Sequence, residues 1–343
     1  MTVDLRTTSE KMSQAGKGIL AADESTGTIG KRLATIGVES TEENRRGYRE
    51  LLFTTPGIGQ YLYGAILFEE TLMQRATSGR YFSELLLEQG ILPGIKVDKG
   101  LIDLALADNE KATQGLDGLP ERLATYKDQG AYFAKWRAVY NITDDQPSQQ
   151  AIETNAELLA RYAAICQSQQ IVPIVEPEVL INGTHTIERC YEATDVVQKA
   201  VFAALIRHRV QLEHIVLKPS MVIAGQDCSQ QATPEQVAEL TLKVLSANVP
   251  DAVPTIAFLS GGQSDEQATL HLQLINALAT NQAWQLSFSY GRALQAPCLA
   301  AWQGQEANHE AAQKALFKRC KLNSAAQFGQ YDVEMENQEV ALA

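Results

Sequence analysis

The chain has 343 residues, 45% of them hydrophobic and 20% charged, a composition that suits a globular protein rather than a disordered or fibrous one. Its 29 Lys+Arg stand against 41 Asp+Glu, a net charge of -12, which argues against broad binding to nucleic acid or anionic membranes because both select a basic face that releases counterions. Length alone allows two domains of about 150 residues or one α/β barrel of about 250 residues and more.

Eight short apolar runs that end in polar or glycine-containing turns read as strands: 18-25, 64-70, 92-99, 133-140, 171-180, 214-222, 255-261 and 284-291. Between them lie amphipathic segments with helical spacing, among them 42-53, 148-169, 188-209, 234-247 and 265-280. Ser40 three residues before Glu43, and Thr233 before Pro234 with Gln236 third, fit capping-box chemistry at helix starts. Strand and helix in alternation demand a parallel sheet, because each helix must return the chain before the next strand begins. Eight such units without a linker or composition shift favour a closed, single-domain α/β architecture, a (β/α)8 TIM barrel over residues 1-327. The remainder, 328-343, lacks a helical stripe and reads as a mobile tail.

Charges end several of the apolar runs: Asp23 in GILAADES, Lys96 and Asp98 in GIKVDK, Lys135 and Arg137 in FAKWR, Glu176 in VPIVEPE, and Lys218 in IVLKPS. Alternation along a strand puts Phe133, Lys135 and Arg137 on one face, and likewise Ile174 with Glu176 and Val216 with Lys218. Barrel sites sit at the carboxyl ends of strands, so these groups converge on one mouth. A single buried charge is ordinarily a structural ion pair, as Asp98 and Arg137 most readily are. Repeating the desolvation cost at strand after strand is hard to explain by stability, and so points to catalysis. Lys218, among apolar neighbours and near the second cation Lys135, has the setting in which a lysine becomes a nucleophilic amine; the competing reading pairs it with Glu176 or Asp23 and gives no reaction with carbonyl compounds.

After the seventh run comes Ser260-Gly261-Gly262-Gln263-Ser264, and the eighth ends Ser289-Tyr290-Gly291-Arg292. Glycines let backbone N–H groups approach an anion, Arg292 can fork onto its oxygens, and these two loops are where barrels hold phosphate. Ser25, Thr28, Lys31 and Arg32 offer hydroxyls and cations at the first strand's mouth, suited to a second phosphate or simply to a helix start. Gly27 to Lys31 is too short for a nucleotide phosphate loop, and Gly57-Ile58-Gly59 reads as a loop because Leu62 stands at the third glycine position of a dinucleotide fingerprint. Tyr132, Phe133 and Trp136 read as core. Five histidines without an HExxH pattern and five cysteines without CxxC spacing predict no metal site, no cofactor and no disulfide framework. The polar stretch Met1 to Ser13 contains no signal-peptide or membrane run, so the expected home is the reducing cytoplasm, with the plastid stroma open if a transit peptide has been removed.

With these residues in view, the chain resembles class I fructose-bisphosphate aldolases. The likeness runs through GILAADEST (18-26), TEENRR (41-46), GIKVDKG (94-100), FAKWR (133-137), IVPIVEPE (171-178), LKPSM (217-221), FLSGGQS (258-264) and SYGRALQA (289-296), in family order over nearly the whole chain. TTPGIGQYLYGAILFEETL (54-72) is most similar to the plastid and photosynthetic forms. The resemblance implies that Lys218 forms a Schiff base with the ketone of fructose 1,6-bisphosphate or dihydroxyacetone phosphate, whose iminium takes up the electrons of the breaking C3–C4 bond without a metal. It implies that Asp23 takes the C4 hydroxyl proton, Glu176 shuttles protons in dehydration, Lys135 stabilises charge, and Lys96 and Arg137 belong to the same charged cluster on the substrate. Ser260, Gly261, Gly291 and Arg292 would hold one phosphate, with Ser25, Thr28 and Lys96 near the other. Two departures stand out: Ser220 where the family commonly has Asn, and an end, Val340-Ala341-Leu342-Ala343, without the terminal tyrosine that in many relatives exchanges the enamine proton. Tyr331 is too far from the end to take that role. The expected partners are small phosphorylated sugars, with sedoheptulose 1,7-bisphosphate open beside the fructose ester, and the family implies a homotetramer. Two other readings remain: another lysine-dependent barrel aldolase needing one phosphate site, and a non-catalytic sugar-phosphate scaffold, whose signature would be loss of an acid/base residue.

Overall fold

The computed structural model describes residues 4–342; of the opening stretch Met1 to Ser13, the first three residues lie outside it, as does Ala343. In chain order the elements are α1 (Leu5–Lys11), β1 (Gly18–Ala22), α2 (Thr26–Ala34), α3 (Glu42–Phe53), β2 (Leu62–Leu67), α4 (Glu69–Met73), α5 (Phe82–Glu88) and β3 (Leu92–Lys96). An antiparallel hairpin follows, β4 (Leu101–Asp103) and β5 (Lys111–Thr113), and then α6 (Leu119–Asp128), β6 (Phe133–Tyr140), α7 (Gln149–Ser168), β7 (Val172–Val179), α8 (Ile187–Arg207) and β8 (Val216–Leu217). The chain continues with α9 (Pro234–Asn248), β9 (Thr255–Phe258), α10 (Asp265–Leu278), β10 (Gln285–Tyr290), α11 (Arg292–Trp302) and α12 (His309–Gln327). Eight strands pair in parallel into a closed barrel in the order β1-β10-β9-β8-β7-β6-β3-β2, as the eight apolar runs predict. The hairpin β4–β5 interrupts the simple alternation and is not legible as one of those runs.

Two apolar layers follow from strand alternation. Leu20, Trp136, Val175, Leu217 and Phe258 point outward to the helices. Ile19, Ala21, Leu92, Phe133, Ile174, Val216 and Ala257 fill the barrel, together with Leu5 and Met12 from the N-terminal segment. That segment plugs the amino ends of the strands, where Thr255 Oγ1, at the start of β9, lies 3.2 Å from the Met12 carbonyl and 2.9 Å from Ser13 Oγ. Phe133 occupies its place only because β3 carries Gly94 opposite, where a Cβ would stand 2.1 Å from the ring.

Of the two helix starts read from sequence, one is shifted by a residue. Thr41, not Ser40, caps α3, accepting from the Asn44 N–H, whereas Thr233 and Gln236 form the expected box at α9. Gly57 opens a short 3-10 turn, Ile58–Gln60, before β2, as a loop reading requires. All five cysteines are free thiols, and no helix among the described residues is long and apolar enough to cross a membrane. The segment after 327, expected as a mobile tail, is tied to the body: its 3-10 turn Val333–Asn337 carries Glu336, which takes two hydrogen bonds from the buried Arg319 at 2.6 and 2.7 Å.

Candidate active site

Strands β1, β3, β8 and β9 end earlier than their apolar runs suggest, so Asp23, Asp98, Lys218 and Ser260 stand just past strand ends, while Lys96, Lys135, Arg137 and Glu176 lie within strands. The facing predicted for them holds. Below Lys135, Glu176 and Lys218 on the same inward rows sit Phe133, Ile174 and Val216 of the interior cluster. The carboxyl ends therefore surround a cavity of about 660 Å³ lined by Asp23, Ser25, Thr28, Lys96, Lys135, Arg137, Glu176, Lys218, Ser260, Gly261, Gly291 and Arg292, which brings together every site residue expected from sequence.

At its floor the charges interlock. Lys218 Nζ lies 3.2 Å from Glu176 Oε1, and Lys135 Nζ lies 2.9 Å from Asp23, 3.4 Å from Glu176 and 3.9 Å from Asp98. The Lys218–Glu176 pair set against a catalytic role is thus present, but within a cavity wall and not sealed in the core. Burial works against the charge on Lys135, yet Asp23, Glu176 and Asp98 hold its ammonium well above the ordinary lysine value. Burial alone would raise Asp23; Lys135 and then Lys218 outweigh it and bring the carboxyl down to about 2, so Asp23 is ionised. Asp98 pairs with Lys96 at 2.7 Å, and Arg137 pairs with Glu178 through its Nε. Both carry the structural salt bridges anticipated for them. Arg137 still faces the cavity, its charge held above the usual arginine value by Glu178 despite opposing burial.

The rim is built for anions. Gly261 and Gly262 take left-handed φ of 56° and 92°, which turns the backbone after β9 sharply and which β-carbon-bearing residues adopt at a cost. Arg292 begins α11 directly after Gly291, and its Nη2 lies 3.3 Å from where a Cβ of Gly262 would be, so the guanidinium covers the loop. Ser25 occupies the N-cap position of α2 without capping a backbone N–H; its hydroxyl instead meets that of Thr28 at 3.1 Å. Cations at the cavity number seven, Lys31, Arg32, Lys96, Lys135, Arg137, Lys218 and Arg292, against four acids, Asp23, Glu24, Glu176 and Glu178. A chain of net charge -12 thus concentrates positive charge at one cleft.

Sequence reasoning misses three contributors. Glu178 sits two residues beyond Glu176 on the same strand face, so alternation could have found it. Buried Glu24 accepts from Arg49 and Gln295, each at 2.8 Å, and pairs with Arg32, a network of partners too far apart in sequence to signal one another. Ser289 presents a buried hydroxyl at the cavity wall with no hydrogen-bond partner among the described residues, and only its inward position on β10 marks it. Among the described residues no cluster of three or more His, Cys, Asp or Glu is arranged to hold a metal ion.

Known proteins carry the same pattern. The family model described as fructose-bisphosphate aldolase class-I matches residues 4–342. A cytosolic fructose-bisphosphate aldolase 4 of Arabidopsis thaliana is 53% identical over 330 residues, covering 96% of this chain and 84% of that protein. A chloroplastic fructose-bisphosphate aldolase 1 of Chlamydomonas reinhardtii is 52% identical over 338 residues, covering 98% and 89%. Among solved structures, Plasmodium falciparum fructose-bisphosphate aldolase, crystallised with TRAP and a small-molecule inhibitor, superposes with a TM-score of 0.94 at 51% identity, covering 96% of this chain and 95% of that one. With a matching barrel, a matching profile from end to end and a lysine at its charged centre, the chain belongs to the class I fructose-bisphosphate aldolases, lyases that reversibly cleave fructose 1,6-bisphosphate to dihydroxyacetone phosphate and glyceraldehyde 3-phosphate through a lysine Schiff base.

Proposed function

We propose that Lys218 is the Schiff-base lysine and that Asp23, Glu176 and Lys135 run the proton transfers around it. The observation that carries the reading is the 3.2 Å pair of Lys218 Nζ with Glu176 Oε1, open to the cavity beside an ionised Asp23. Glu176 takes a proton from the Lys218 ammonium, the free amine adds to the substrate C2 carbonyl, and Glu176 returns the proton to the carbinolamine oxygen as water leaves. Asp23 then removes the C4 hydroxyl proton while the C3–C4 bond breaks; its electron pair becomes the enamine double bond and the iminium charge is neutralised. Lys135, pinned between Asp23 and Glu176, keeps Asp23 ionised and orients both carboxylates. After the aldehyde departs, protonation at C3 and hydrolysis return Lys218. Ser260, Gly261, Gly291 and Arg292 hold one phosphate, and Ser25, Thr28 and Lys96 the other, with Arg137, braced by Glu178, lining the same cavity. The retention of Asp23, Glu176 and Lys218 in one cavity favours catalysis over a scaffold, and the two sets of anion-suited side chains lining that cavity support a bisphosphate over a monophosphate.

The test is covalent. Borohydride added with dihydroxyacetone phosphate reduces the iminium to a stable secondary amine, and peptide mapping is expected to find it on Lys218; an adduct on any other lysine, or turnover abolished by EDTA, overturns the assignment. A homotetramer, implied by the family, is checked by sedimentation. The cytosolic and chloroplastic names of its relatives support a cytoplasmic or stromal location, checked by fractionating the source cells.

A further inference from the structure

Two left-handed glycines in succession make the loop after β9 intrinsically pliable, and something outside them has to fix it. Gln263 does so twice. Its backbone N–H donates to the Ser260 carbonyl at 3.0 Å and its side-chain Nε2 donates to the same oxygen at 2.9 Å, closing a ring around Gly261 and Gly262. With Nε2 committed there, Oε1 must face the other way, and it meets Nδ1 of His271 on α10 at 2.5 Å. An amide oxygen only accepts, so Nδ1 carries the hydrogen and the imidazole tautomer is set. Turning the amide over would put two oxygens face to face at Ser260. Both side chains are buried, and neither lines the cavity.

We propose that His271 is a positioning residue for the phosphate loop: its Nδ1–H locks the amide of Gln263, which holds Ser260-Gly261-Gly262 in the shape that receives a substrate phosphate. The inference rests on the reading of that loop as a phosphate site. Burial drives the ring's titration down to about 4, against the pull of Glu235 in the first turn of α9, so the ring is neutral in the working range and the lock does not depend on its charge.

The experiment compares wild type, H271L and H271N for turnover of fructose 1,6-bisphosphate and for competitive inhibition by inorganic phosphate. Leucine removes the donor; asparagine keeps an N–H at the matching branch of the side chain. H271L is expected to raise both KM and the phosphate inhibition constant about tenfold, the loss typical of a buried acceptor left unpaired, with kcat nearly unchanged, and H271N to restore most of both. Wild-type values in H271L overturn the proposal, as does an H271N enzyme that is folded yet as impaired as H271L, because the ring would then act by packing alone. If H271L does not fold, Q263E carries the test: it keeps an acceptor toward His271 and loses the donor to Ser260, so an unchanged inhibition constant overturns the lock. If inorganic phosphate does not compete in wild type, or R292A leaves its inhibition unaltered, the phosphate reading of the loop falls and takes this inference with it.

Discussion

Ser220 holds both backbone groups of Val179: its hydroxyl donates to the Val179 carbonyl at 2.9 Å and accepts from the Val179 N–H at 3.0 Å. The ladder between β7 and β8 covers only Ile174–Val216 and Val175–Leu217, and neither Pro177 nor Pro219 can donate to extend it. A side chain therefore completes the seam just beyond Lys218, whose own N–H is anchored on the Val175 carbonyl at 2.8 Å. Replacing Ser220 by Ala strands two buried backbone groups, with an expected loss of about 2 kcal/mol in urea unfolding and a lower kcat at nearly constant KM, since Lys218 rather than a phosphate ligand is loosened. Asparagine, common here in the family, brings a donor and an acceptor of its own, and S220N is expected to fall closer to wild type than S220A in both measurements.

Arg292 has the geometry of an anion fork, poised over Gly262 at the start of α11. R292A is expected to raise KM for fructose 1,6-bisphosphate about 30-fold, in keeping with loss of charge-assisted hydrogen bonds. R292K is expected to recover only part of that, because an ammonium cannot offer two parallel donors. Steady-state kinetics at two salt concentrations separate fork from charge: the residual advantage of lysine over alanine shrinks as salt rises.

Much of this arrangement is legible in the sequence because strand alternation is a strict rule. Once Phe133, Ile174 and Val216 are assigned to the interior, Lys135, Glu176 and Lys218 follow two residues on, and the same rule marks Glu178 and Ser289. What escapes is contact between distant segments. Nothing local ties Glu24 to Gln295, or Gln263 to a histidine eight residues on in α10, and the polar heptad of α1 has too little periodicity to announce a barrel plug. Strand ends slip by a few residues for a related reason: apolar character continues past the last ladder bond wherever the following loop is buried, as at Met221 and Val222.

Tyr331 illustrates the limit of reading a role from residue type. Its hydroxyl donates to Glu336 Oε1 at 2.9 Å, and burial followed by that carboxylate pushes the phenol well above its usual value, away from proton exchange. It does not line the cavity. Y331F is expected to leave cleavage and the exchange of the dihydroxyacetone-phosphate C3 proton at wild-type rates, followed by NMR in deuterium oxide, while costing about 1 kcal/mol in stability for the lost hydrogen bond. A large drop in exchange would instead assign that proton exchange to Tyr331.

Asp23 couples the chemistry to acid stability. Its carboxyl titrates at about 2 in the folded chain against 3.8 ordinarily, held down against burial by Lys135 and Lys218. A carboxyl depressed by folding stabilises the native state fully above its unfolded value and loses that contribution as pH falls through 3.8 toward 2, since the unfolded chain binds the proton first. The amount is about 2 kcal/mol. Lys135 behaves in the opposite sense: raised by folding, it stabilises below its ordinary 10.5 and loses that contribution as pH climbs through its higher folded value. D23N is therefore expected to be less stable than wild type at pH 6 in urea, with the gap closing as pH is lowered from 5 to 2.5, while its turnover falls on the order of 100-fold or more for want of the base at the C4 hydroxyl. A stability gap that stays constant down to pH 2.5 would mean that Lys135 and Lys218 do not hold Asp23 ionised, and the same carboxylate could not then be credited with taking the C4 proton.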